Sequence, residues 1–79
     1  MTIRLTLKPV NTNVVAVHQA DGLHVGNLKR IGSLWKFKAV GYASDGAVEP
    51  GCGPLTLQHN ALFDEPEEAS VNQRLAPHL

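Results

Sequence analysis

Apolar and polar positions alternate with a period of two through most of the first 42 residues. Ile3, Leu5 and Leu7 are interleaved with Thr2, Arg4, Thr6 and Lys8, the pattern of a half-buried strand. Pro9 is expected to end it, with Asn11-Thr12-Asn13 turning the chain into Val14. The stretch VVAVHQADGLHVGNLKRIGSLWKFKAVGY, residues 14–42, then carries two tight-turn signals, each flanked by strand-forming residues. Asp21-Gly22 suits a type I′ hairpin turn, whose two central positions need positive φ. Gly32-Ser33 suits type II′, with glycine at the first central position.

Two-residue turns at both places fix a register. The first sets Ala20 opposite Leu23, Val17 opposite Gly26 and Val15 opposite Leu28. The second sets Ile31 opposite Leu34, Leu28 opposite Phe37 and Gly26 opposite Ala39. The two turns are independent of each other, yet they agree: Val15, Leu28 and Phe37 form one row across three strands, and Val17, Gly26 and Ala39 the next. One sheet face is therefore apolar, with small residues where a neighbour can press close. The opposite face collects Asn27, Lys29, Lys36 and Lys38 near the second turn, and Leu23, Val25, Val40 and Tyr42 at the other end. Arg30 falls opposite Trp35, within reach of a cation–π contact.

Downstream, SDGAVEPGCGP reads as a long loop of turn formers, and Leu55–Gln58 as a short further strand. FDEPEEASVNQRLA reads as a helix over about 65–76. Asp64 is the candidate N-cap with Glu67 three residues on, Pro66 is tolerated in the first turn, and Pro77 ends the helix. The expected fold is a single α+β domain over residues 1–79: a four-stranded antiparallel meander (about 2–9, 14–20, 23–31 and 34–43), the short strand at 55–58, and one C-terminal helix packed on one sheet face.

Size sharpens the question of what else supports such a fold. A chain of 79 residues buries about 60–65% of its unfolded surface, and small domains commonly add disulfides, a metal or a partner subunit. The single cysteine, Cys52, cannot form an intramolecular disulfide. The first ten residues, MTIRLTLKPV, lack the apolar core of a signal peptide, and no stretch approaches the ~20 apolar residues of a membrane span. The expectation is a cytoplasmic protein without membrane contact.

The net charge of zero hides an uneven distribution. Residues 1–42 carry Arg4, Lys8, Lys29, Arg30, Lys36 and Lys38 against Asp21 alone, whereas residues 43–79 carry Asp45, Glu49, Asp64, Glu65, Glu67 and Glu68 against Arg74 alone. A basic half must fold beside an acidic one.

These features support three functional readings. The leading one is a non-enzymatic interaction module that self-associates as a homodimer through Leu23, Val25, Val40 and Tyr42. One helix covers only one sheet face, and exposed apolar clusters mark partner surfaces. The second is nucleic-acid binding through Lys29, Lys36 and Lys38, with lysines on a strand face guarding against aggregation as the plainer explanation. The third is an enzyme or ligand-binding protein using Cys52 and His59, although Glu49 and Asp45 beside Cys52 disfavour a thiolate. No cofactor is implied. Among His18, His24, His59 and His78, this register points His18 and His24 to opposite faces, so they could share a metal only if the Asp21-Gly22 turn were not of the expected kind.

Overall fold

The computed structural model describes residues 4–79. Five strands form an antiparallel meander in sequence order: β1 (Leu5–Asn11), β2 (Val14–Gln19), β3 (His24–Ile31), β4 (Leu34–Tyr42) and β5 (Val48–Pro50). A two-residue strand, β6 (Leu62–Phe63), pairs with the other end of β4. Helix α1 (Glu68–Leu75) follows, and a 3-10 turn at Ala76–His78 continues it. The α+β architecture is that expected from the sequence. Thr2 and Ile3, assigned to the first strand by the alternation, lie outside the described residues.

The two central rows are as the turns dictate. Val15 pairs Leu28, which pairs Phe37; Val17 pairs Gly26, which pairs Ala39. Val15, Val17, Leu28, Phe37 and Ala39 share one buried cluster with Leu5, Leu55, Phe63, Val71, Leu75 and Ala76, so the helix and the segment before it cover this face. Gly26 makes room for its neighbour: a Cβ there would lie 2.4 Å from Cε1 and Cζ of Phe37. The Gly32-Ser33 turn has positive φ at Gly32 and not at Ser33, as type II′ requires.

The Asp21-Gly22 turn departs from expectation, and the departure moves a whole face. Gln19 C=O accepts from Gly22 N–H at 2.9 Å, and Gln19 N–H donates to Leu23 C=O at 2.8 Å. The loop is thus three residues, Ala20 to Gly22, closed by Gly22 at φ +97°. This is a type I turn followed by a left-handed glycine, rather than a two-residue type I′ loop. Asp21 Oδ1 fixes it by accepting from Leu23 N–H at 3.0 Å. The register is shifted by one at His18↔His24 and restored at Val17↔Gly26, which leaves Val25 as an extra residue on β3. Such a bulge re-aims side chains. Val25 turns into the core, fully buried, and His24 moves to the same face as His18.

The remaining corrections lie in the second half. Leu55–Gln58 is not a strand: Leu55 is buried in the core, Thr56–Gln58 forms a 3-10 turn, and Leu57 is 91% exposed. No strand position is open to it along β4, whose outer edge is filled from other segments. Phe37 N–H donates to Ala61 C=O, Asn60 N–H to Phe37 C=O, and Gly51 N–H to Ala39 C=O, while β5 pairs Val40–Tyr42. Val48–Pro50, expected within a loop, is that short strand, and Pro50 is tolerated because β5 is an edge. The helix starts at Glu68 with Glu67 as its N-cap, and without a side-chain capping bond. Asp64 cannot cap it because Glu65 precedes Pro66, and a residue before proline is driven out of the helical region. Pro9 does not end β1, which bulges between Pro9 and Asn11 before turning.

The outer edge of β1 is closed by α1. Asn72 Oδ1 accepts from Leu5 N–H at 2.9 Å and from Arg4 N–H at 3.1 Å, and Asn72 Nδ2 donates to Leu5 C=O at 2.9 Å. Glu68 Oε2 accepts from Leu7 N–H at 3.3 Å. The next outward-facing position, two residues on, is Pro9, which has no N–H. Three successive positions on an edge that would otherwise template pairing are thereby silenced.

Candidate functional site

The sheet face turned away from α1 is built in rows that the register dictates. Lys8, Ala16, Asn27 and Lys38 are successive partners across β1 to β4, and Val14, Lys29 and Lys36 form the neighbouring row. Four lysines therefore share one face. Lys29, Lys36 and Lys38 are among the residues singled out from the sequence; Lys8 was not, because its strand was read without its partner positions. Lys38 Nζ is held by Asn60 Oδ1 at 2.7 Å. Asn60 itself sits at φ +77°, a left-handed position that asparagine tolerates.

The acidic half lies elsewhere. Asp64, Glu65 and Glu67 border a shallow depression with Phe63, Ser70 and Arg74, in the segment that covers the core face. The Arg74 guanidinium stacks on the Phe63 ring at 4.3 Å and donates to Leu62 C=O. Arg30 does sit opposite Trp35, but its Nε donates to Gly32 C=O at 3.3 Å.

At the far end of the lysine face the altered turn creates an aromatic row. His18 and His24 are direct cross-strand partners with ring centroids 4.9 Å apart and planes inclined by 32°. Tyr42 follows on β4, 6.1 Å from His24. His24 Nδ1 meets Tyr42 Oη at 2.8 Å, and His24 Nε2 meets Asn27 Oδ1 at 3.0 Å. A carboxamide oxygen only accepts, so Nε2 carries a hydrogen, and in the neutral imidazole the Tyr42 hydroxyl then donates to Nδ1. His18 Nδ1 is buried without a hydrogen-bond partner among the described residues. Burial holds the His18 imidazole below its ordinary pKa, and the nearby His24 and Lys8 add to that. The pair is poorly disposed to chelate. Lone pairs lie in the ring planes, and both His24 nitrogens are already engaged, by Tyr42 and by Asn27. No group of three or more metal-ligating side chains occurs among the described residues.

The four residues of the expected apolar patch are divided. Val25 is in the core and Val40 is 7% exposed, while Leu23 and Tyr42 are 44% and 45% exposed. Cys52 is exposed on the β5 loop. His59 is close to that loop but is used by the sheet, its Nδ1 accepting from Ala39 N–H at 3.0 Å. It fills the gap on the β4 edge between β5 and the strand-like segment at 60–63. The sequence signal for this role was slight: a histidine beside an asparagine able to take positive φ.

Among the described residues no helix is long and apolar enough to cross a membrane. No family model, no curated protein and no solved structure matches the chain.

Proposed function

We propose that this protein is a binding module that docks nucleic acid through the phosphates on its lysine-bearing sheet face. One observation carries the reading: Lys8, Lys29, Lys36 and Lys38 lie on the face opposite the core, while Asp64, Glu65, Glu67 and Glu68 belong to the segment that covers the core face. A chain neutral as a whole thus presents a basic surface locally, and it is the local field that a polyanion meets. Lysine–phosphate contacts release counterions, which makes binding steeply dependent on salt.

The test is fluorescence anisotropy with labelled oligonucleotides at low ionic strength. Four phosphate contacts correspond to a slope of about −3 in log K against log salt. Lys36→Ala with Lys38→Ala should weaken binding and cut that slope to about half. Affinity unaffected by this double substitution would remove the face from consideration.

Self-association remains a second reading, favoured by the same charge segregation: the acidic helix segment of one copy complements the basic face of another. Its expected signature is a salt-sensitive dimer in sedimentation velocity that nucleic acid dissociates. The exposed apolar area offered by Leu23 and Tyr42 adds to that contact.

A further inference from the structure

We infer that the ligand of this face is single-stranded nucleic acid, with bases stacked on the His18–His24–Tyr42 row; the inference rests on the nucleic-acid reading above and specifies its substrate class. The row exists only because of the Val25 bulge and the three-residue turn, which bring two rings expected on opposite faces onto one. On β1 and β2 it borders the Lys8–Ala16–Asn27–Lys38 row, since Thr6 and His18 are partners two pairs along from Lys8 and Ala16, the next pair on that face; on β4 Val40 stands between Lys38 and Tyr42. Same-face neighbours along a strand are about 6.8 Å apart. The sheet therefore carries a line of charge and, beside it, a line of flat rings, both running across the strands. A single strand laid along these lines sets its phosphates on the lysines and its unstacked bases on the rings. A duplex offers no free base face to such a platform.

The chemistry of the row suits stacking better than charge. His24 is fixed by two hydrogen bonds, one to Tyr42 and one to Asn27, so its plane is set in advance. Tyr42, at the open end of the row, is 45% exposed, which leaves ring surface for a base. Its hydroxyl is turned toward His24. The partners found for the two imidazoles are Thr6 and Lys8 on β1, Asn27 on β3 and Tyr42 on β4, none of them a carboxylate. The rings are therefore not drawn into salt bridges. Every base has a π-face, so binding through this row is tolerant of sequence.

The experiment compares four probes by anisotropy or competition at low salt: a single-stranded oligonucleotide of mixed sequence, the same sequence as a duplex, a single-stranded abasic oligonucleotide, and inorganic polyphosphate. The expected order places the base-bearing single strand tightest. Tyr42→Ala should weaken that probe about tenfold, within the range known for loss of one base–aromatic stack, and leave the other three unchanged. Tyr42→Phe, which keeps the ring, should retain most of the affinity. Lys36→Ala with Lys38→Ala should weaken all four probes alike. If abasic strand or polyphosphate binds as tightly as the base-bearing strand, or Tyr42→Ala weakens all probes equally, stacking is overturned and the lysine face stands. If none of the four binds, the nucleic-acid reading falls with it. Thermal melts of each variant separate these results from loss of fold.

Discussion

The side-chain amide of Asn72 holds both backbone polar groups of Leu5, accepting from its N–H and donating to its C=O, each at 2.9 Å. One carboxamide thus does for β1 what a neighbouring strand would do. It also accepts from Arg4 N–H and donates to Glu68 C=O within its own helix. Asn72→Ala leaves Leu5 without these partners. The expected cost is about 2 kcal/mol, the scale of a polar group stripped of its partner at a part-buried site. Urea denaturation measures it, and light scattering of the variant should show association through the freed edge. A midpoint equal to that of the parent protein would show that water replaces the amide without loss.

Gly26 is the tighter of the two glycines within the strands. A methyl group there would meet Phe37 at 2.4 Å and the Lys38 carbonyl oxygen at 2.7 Å. The ring can yield, but backbone cannot do so without disturbing the β3–β4 ladder. Gly26→Ala should therefore destabilise by about 3 kcal/mol, at the upper end for overpacking. Combining it with Phe37→Leu should cost less than the sum of the two single changes, because the smaller side chain relieves the ring clash. Strict additivity in chemical denaturation would show that the contact is not the cause.

His59 serves the sheet as an acceptor. His59→Ala removes the partner of Ala39 N–H, with an expected loss of about 1–2 kcal/mol. Hydrogen exchange gives the residue-level readout: the Ala39 amide should lose protection while Phe37, bonded to Ala61, keeps more of its own. Cys52→Ser, on the exposed loop beside it, should change stability by less than about 0.5 kcal/mol.

The His18 imidazole sets an acid dependence of stability. Its folded pKa lies below the ordinary 6.5, chiefly because burial penalises the charged form and then because of His24 and Lys8. Between the lowered folded value and 6.5, the unfolded chain binds more protons at this site than the folded one. Stability therefore rises with pH across that window and is lost as pH falls through it. The urea midpoint should drop on acidification from pH 7, and His18→Gln should reduce the drop. Equal pH profiles for the two proteins would contradict this.

The sequence made the central rows legible because two constraints overlapped there. The register deduced from Asp21-Gly22 and that deduced from Gly32-Ser33 met at Val17/Gly26 and Val15/Leu28, and both pairs are present. That agreement concealed a compensation. The first loop takes one residue more than expected and the Val25 bulge absorbs it, so the core rows survive while the residues between loop and bulge change sides. An aspartate-glycine pair serves a two-residue loop or, with aspartate third and glycine fourth, a type I turn closed by a left-handed glycine. Only the burial of Val25 decides between them. Lys29, Lys36 and Lys38 were legible for the same reason as the rows, since they occupy the alternate positions of the same strands. The aromatic row was not, because it depends on His24, which lies within the altered stretch and changes sides. The edge closure by Asn72 and Glu68 was equally hidden: it joins positions 61, 67 and 68 residues apart in the chain, beyond the reach of any local pattern.

That last separation has a consequence for biosynthesis. The meander is translated well before the residues that shield its margin, so a nascent chain carries an unguarded ribbon of backbone until Glu68 and Asn72 leave the ribosome. Chains halted upstream of residue 68 would keep Pro9 as their sole protection there, and they are the species in which a crowded polysome would first see chains adhere to one another.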